Sequence, residues 1–181
     1  DVPPGAARVL EDHARAGGGW LHVVPPAAAD LPAALGIDLS ASGPRCELRV
    51  LFAHADHPLS ARLPDAFYAT SEHRPVELTS GDVETVLHAD WRRKHTPVLV
   101  RRRLGDGHVA CTTLSDVAHP VWRQIVYRLV RQMSGVVPEL DRLRIGVLGY
   151  APSVGRLHGQ GAVDTPGLDF VAACDISPDR L

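Results

Sequence analysis

The sequence predicts an α/β protein organised around a parallel sheet, and three stretches predict it. Residues 20–24 (WLHVV) are an apolar run of strand length closed by Pro25-Pro26, which suits a strand buried on both faces. Residues 120–134 carry an apolar stripe at helical spacing. Residues 144–175 read strand, glycine turn, helix, strand, the order of a βαβ unit.

In chain order, residues 6–16 predict a helix stopped by Gly17, Gly18 and Gly19. The 20–24 strand follows, then a short helix within 27–36 interrupted by Pro32. Residues 46–52 (CELRVLF) read as a strand and 53–64 as a loop with two prolines. Further strands are expected at 65–70, 74–78, 83–89 and 97–103. The last turns at Gly105-Asp106-Gly107 and returns as 108–114, which is a hairpin signature. In the 120–134 helix, Pro120 suits the first turn and Gly135 the C′ position. Val121, Trp122, Ile125, Val126, Leu129, Val130 and Met133 form its stripe. Residues 136–142 then read as a linker, dividing a domain at 1–135 from a βαβ unit at 143–181. One βαβ unit cannot bury its own faces, so the second domain is expected to be cut off.

Composition excludes several classes. Apolar residues are 45% and charged residues 22% of 181, so the chain is globular, not disordered. A formal charge of −2 argues against nucleic acid as partner. No apolar run approaches the ~18 residues of a membrane span, and no secretory leader is visible. Cys46, Cys111 and Cys174 form no CxxC pair, which fits a reducing cytoplasm. The chain starts at Asp1, not Met, so trimming at the front is expected. Self-association into a homo-oligomer stays open.

The segment from Gly149 to His158 (GYAPSVGRLH) follows a strand and opens a helix. Glycine there permits a tight turn and close backbone approach, while the helix start offers N–H groups to a pyrophosphate. Asp175 ends the next strand, where an acid accepts hydrogen bonds from ribose hydroxyls. Ala151 replaces the second glycine of G-x-G-x-x-G, and Gly155 stands one position late for the third.

Residues 144–180 resemble the opening of the Gfo/Idh/MocA oxidoreductases, through the strand 144–148, Gly149, Gly155, His158, Asp175, Ser177 and Pro178. The resemblance implies hydride transfer on a sugar or polyol, with NAD or NADP as cofactor. It implies cofactor contacts at Gly149, Tyr150, Ala151, Gly155, Arg156, His158, Asp175 and Ser177. The charge of Asp175 favours NAD over NADP by repelling a 2′-phosphate. The family's catalytic Lys region is absent from this chain, so catalytic residues stay unassigned.

Residues 16–24, 56–67 and 96–119 and the helix after them resemble the ThuA-like (trehalose-utilisation) family, relatives of class I glutamine amidotransferases. That resemblance implies a flavodoxin-like three-layer α/β fold with an added hairpin near 97–114, with the family's first strands missing here. Arg62 stands where the family commonly has glycine. Ser71-Glu72-His73 replaces Asp-Glu-Leu/Tyr, and His108 replaces an arginine. Together the two resemblances imply a ThuA-like domain fused to an oxidoreductase, with a dinucleotide and a sugar-like molecule as partners. The alternative is a non-catalytic ThuA-like sugar-binding or scaffold domain, with the fragment itself inactive.

Amidotransferase chemistry requires a Cys on a strand-to-helix turn, and no Cys has that setting. His22, His54, His57 and His119, with Asp56, fall at expected strand ends or in loops, where a parallel sheet gathers ligands. The four histidines are therefore candidate substrate-binding residues. Their spacings match no metal signature, so no metal is expected. Trp20, Trp91 and Trp122 could stack on a sugar ring, although Trp122 lies on the helix stripe and Trp20 starts a buried strand, which places both in the core.

Overall fold

Proline and glycine set the ends of the first helix, α1 (Pro4–Arg15). Proline occupies its first turn, His13 and Arg15 lie in the last turn, where cations complement the helix dipole, and Gly17 follows at φ 101°. The computed structural model describes residues 3–91, 94–115, 118–135, 143–149, 154–164 and 168–175. The chain divides into two units, Asp1–Val137 and Pro138–Leu181. Among the described residues, no helix is long and apolar enough to cross a membrane.

The first unit is built on β1 (Gly19–Val23), β3 (Arg45–Phe52), β4 (Ala66–Glu72), β6 (Glu84–Trp91), β7 (Lys94–Leu104) and β8 (Gly107–Thr112). They form one sheet in the order β1-β8-β7-β6-β3-β4. Two short strands, β2 (Ile37–Leu39) and β5 (Val76–Leu78), pair separately and antiparallel. Only β1 and β8 run parallel among the pairs of the large sheet. The other four pairs are antiparallel. The expected parallel sheet is thus corrected to a mixed α/β sheet. The reason is connection length: the segments joining β6 to β7 and β7 to β8 are too short for a crossover, and such neighbours pair antiparallel. The 97–114 hairpin is therefore the middle of the sheet and not an addition to it.

Alternation along the strands divides the core. Val109 and Cys111 face one way, with Trp20, Val100, Leu35 and Ala14 of α1. Ala110 faces the other way, with Leu48, Val50, Phe67 and Leu99. Helix α2 (Pro120–Met133) covers that second face with Trp122, Ile125, Leu129 and Met133, all buried. Val121 and Val126 pack partly, while Val130 is exposed, so the stripe is narrower than its sequence suggests. Helices thus lie on both faces of the sheet.

Between 27 and 36 the chain makes only a 3₁₀ turn, Ala33–Leu35, because Pro32 sits at its N-cap and Gly36 ends it at φ 67°. A second 3₁₀ turn, Pro58–Ser60, lies inside the expected loop.

The second unit holds β9 (Leu143–Leu148), α3 (Val154–Asp164) and β10 (Leu168–Cys174). The two strands pair parallel, from Leu168↔Leu143 to Cys174↔Leu148. Leu148, Leu157, Val163 and Val171 are exposed, a large apolar surface for so small a unit.

Candidate functional site

Each of the four candidate histidines is placed by a different device. His22 lies on β1 two residues from Trp20, so both point to the α1 face, and their rings meet edge-on with centroids 6.0 Å apart. His22 is 7% exposed, and burial pushes its pKa below 6.5. His57 lies on the opposite face, stacked on Phe52 with ring centroids 6.0 Å apart. His119 precedes α2 and stacks on Phe67 at 5.0 Å. His54 is exposed. The sheet therefore separates His22 from His57 and His119, and the four do not converge on one cleft.

His57 has a defined local role. Pro58 begins the 3₁₀ turn, and the turn's Leu59 N–H donates to His57 Nδ1 at 3.1 Å. An accepting Nδ1 puts the proton of the neutral ring on Nε2. Nε2 lies 3.4 Å from Glu84 Oε1, without hydrogen-bond geometry. Burial lowers the pKa of His57, and Arg101 and His54 lower it further against the opposing pull of Glu84. Arg101 is held in turn: its Nε donates to Glu84 Oε2 and its Nη1 to Gln132 Oε1, both at 2.6 Å. Arg128 of α2 donates to the carbonyls of Leu59 at 2.8 Å and Ala61 at 2.7 Å. The His-Pro loop is thereby tied to α2, and a ring committed through Nδ1 to backbone is a poor general base.

Glu84 and Arg101 also line a cleft of about 300 Å³ with Asp82, Arg102, His108 and Gln132. Arg102 pairs with Asp82 at 2.8 Å. A wider cleft of about 630 Å³ is bordered by Ser40, Gly43, His73, Lys94, His95 and Thr96. There His73 Nε2 lies 3.0 Å from Thr96 Oγ1. Both clefts are lined by polar and charged groups.

Several buried polar residues escaped the sequence reading. Ser71 is fully buried, and its Oγ accepts the Ser115 N–H at 3.1 Å. Arg74 is 9% exposed and donates to the carbonyls of Pro25, Pro26 and Ala28. These contacts join the strand ends to loops and explain why polar residues stand there. His88, Asp90 and His95 also come together, on β6 and β7. The cysteines are unpaired, and burial pushes the Cys111 thiol up to about 12, the reverse of nucleophile activation.

In the second unit, the Leu148↔Cys174 pair puts Gly149 and Asp175 next to each other at the carboxyl ends of adjacent parallel strands. Gly149 takes φ 79°, a left-handed conformation that favours glycine, and its N–H donates to Cys174 O at 2.7 Å. Gly155 is buried at the start of α3, whereas Arg156 and His158 are exposed. Tyr150, Ala151 and Ser177 lie outside the described residues.

No family model and no curated protein matches the chain. Solved structures do match. A ThuA-like protein from Bacteroides uniformis superposes with a TM-score of 0.56 at 14% identity, over 74% of this chain and 65% of that one. About three quarters of the chain shares the fold of this ThuA-like protein. A cytoplasmic protein from Salmonella typhimurium gives 0.55 at 16% identity, over 74% of this chain and 62% of that one. A β-galactosidase from Bacillus circulans gives 0.57 at 17% identity, over 75% of this chain and 21% of that one. The chain therefore spans just under two thirds of the first two proteins and about a fifth of the β-galactosidase. At these identities the likeness to ThuA-like proteins is one of fold.

Proposed function

We propose that the chain is part of an NAD(P)-dependent oxidoreductase of the Gfo/Idh/MocA type acting on a sugar or polyol, with a ThuA-like domain ahead of its cofactor-binding unit. The observation that carries this reading is the position of Gly149 and Asp175, each directly after the last ladder pair Leu148↔Cys174, at the ends of two parallel strands joined through α3. Ligands of open α/β sheets bind outside the carboxyl ends of the strands. The residues fit a dinucleotide in kind. A left-handed glycine leaves room for a pyrophosphate, a helix start supplies N–H donors, and a carboxylate accepts from ribose hydroxyls. Gly155, near the helix start, would let the helix approach the cofactor, with Arg156 next to it and His158 about one turn further along. When bound, the nicotinamide supplies hydride transfer. The chain's own residues bind and orient the adenosine end, and the negative charge of Asp175 favours NAD over NADP. The exposed Leu148, Leu157, Val163 and Val171 support reading this unit as the opening of a larger Rossmann domain.

For the ThuA-like half, the separation of His22 from His57 and His119 by the sheet favours a non-catalytic sugar-binding or scaffold role.

Calorimetric titration with NAD+ and NADP+ tests the proposal. NAD+ should bind more tightly than NADP+, and Asp175→Ala should abolish the preference. Absence of NAD+ binding by the intact chain would overturn the cofactor assignment and leave the ThuA-like half to carry whatever the chain does.

A further inference from the structure

The β6–β7 hairpin collects a donor set that neither half of the proposed function uses. His88 and Asp90 are two residues apart on β6, so the strand pleat turns both to one side. His95 is the direct cross-strand partner of Asp90 on β7. Paired side chains of an antiparallel ladder stand on the same face within reach of each other. Strand period and hairpin register thus bring two imidazoles and one carboxylate together.

The distances agree. One ligand atom from each of the three residues lies within 4.8 Å of the others. His95 Nδ1 is 2.6 Å from Asp90 Oδ1, and the His88 and His95 ring centroids are 4.6 Å apart. Donors about 2.1 Å from a tetrahedral ion stand roughly 3.4 Å from each other. The His95–Asp90 pair, at 2.6 Å, would open by about 0.8 Å, and the His88 ring, within 4.8 Å of the others, would swing in by at most about 1.4 Å. Asp90 Oδ2 is engaged by Arg49 Nη1 at 2.8 Å, and that contact fixes the carboxylate plane while leaving Oδ1 to face the two rings. An orienting partner of this kind is a usual accompaniment of a ligating carboxylate. His88 and Asp90 are half-buried and His95 is exposed, so an ion has access from solvent.

We infer that His88, Asp90 and His95 form a binding site for one divalent metal ion of the zinc type. Two imidazoles and a carboxylate suit a borderline ion such as Zn²⁺ and do not suit Ca²⁺ or Mg²⁺, which prefer all-oxygen shells. Three protein ligands leave a coordination position for water, the arrangement of an open site and not of a closed structural one. Loading replaces the direct His95–Asp90 contact with bonds from both side chains to the ion and so clips β6 to β7.

The test is calorimetry of the chelator-stripped chain with Zn²⁺ alone, followed by Co²⁺, whose visible absorption reports coordination by nitrogen and oxygen. One ion per chain should bind, and Mg²⁺ should not compete. His88→Gln and His95→Gln should each weaken Zn²⁺ binding by at least about tenfold, since loss of even a ligand's outer-shell partner costs that much. Asp90→Asn, which keeps the shape of the side chain, should do the same, whereas His13→Gln on α1 should leave binding unchanged. Circular dichroism of each apo variant guards against simple misfolding. Absence of Zn²⁺ binding by the intact chain, or full binding by folded His88→Gln and His95→Gln variants, overturns the assignment.

Discussion

Arg62 is the one described non-glycine residue with a positive φ, at 60°. It also stands where the ThuA-like pattern commonly has glycine. A non-glycine residue in this region costs about 1–2 kcal/mol, through crowding of Cβ against the carbonyl oxygen. Replacing it with glycine removes that strain but frees the unfolded chain, which gives back roughly 0.5–1 kcal/mol. The side chain is exposed, and its charge opposes Arg128, whose pKa falls first through burial and then through Arg62. Arg62→Gly should therefore stabilise the first unit by about 0.5–1 kcal/mol, which is roughly 1–4 °C in Tm for a protein of this size. Thermal and urea unfolding followed by circular dichroism would measure it. Arg62→Ala is the control, since it removes the charge but keeps Cβ, and it should give at most a small part of the gain. If Ala matches Gly, the effect is electrostatic and the backbone argument fails. If Gly destabilises, the left-handed turn is not strained at all.

Stability of the first unit should decline on acidification, and His57 should contribute. Its folded pKa lies below 6.5, so below that pH the unfolded chain takes up a proton that the buried ring refuses. The contribution is intact above pH 6.5 and is lost as pH falls through the depressed folded value. His57→Asn keeps an acceptor for the Leu59 N–H, so it should flatten the slope between pH 7.5 and 5.5, while loss of the buried ring's packing on Phe52 costs about 1–3 kcal/mol at pH 7.5. An unchanged slope would remove His57 from the account. Gly107→Ala should destabilise by about 1–3 kcal/mol, because a Cβ there meets the carbonyl oxygens of Gly18 and Ala14. Chemical denaturation would show it, and a neutral result would mean that the β8 turn can move away from α1.

What the sequence told depended on how local each signal was. The βαβ order of residues 144–175 is written in consecutive residues: an apolar run, a glycine, a helix and a second run ending in an acid. The structure has β9, α3 and β10 there, with the strands parallel. Strand direction in the large sheet was a different matter. The apolar run 20–24 does find a parallel partner, β8. Yet β1 is a sheet edge, and its inner neighbours are hairpin strands whose direction follows from their short turns. β1 is moreover buried on one face only, with Val23 45% exposed, so the expectation of a strand buried on both faces is corrected too: an edge strand keeps one side open, and its apolar content says nothing about which way its neighbour runs.

The same distinction governs the histidines. Grouping His22 with His54, His57 and His119 assumed that loops after parallel strands open on one end of a sheet. Period two alone puts His22 beside Trp20 on the α1 face, but the placement of His57 on the other face depends on how the His-Pro loop folds over Phe52, which no local pattern encodes. In contrast, His88, Asp90 and His95 were recoverable in principle, since a strand period and a hairpin register suffice to unite them. They were hidden because Asp90–Thr96 is polar and Pro97 normally argues against a strand interior. Pro97 nevertheless sits opposite His88 in the ladder, and β7 starts at Lys94. Once the strands extend toward their tip, the two imidazoles and the carboxylate follow from register alone, and the paired strand ends become the part of this fold whose chemistry depends most directly on hairpin geometry.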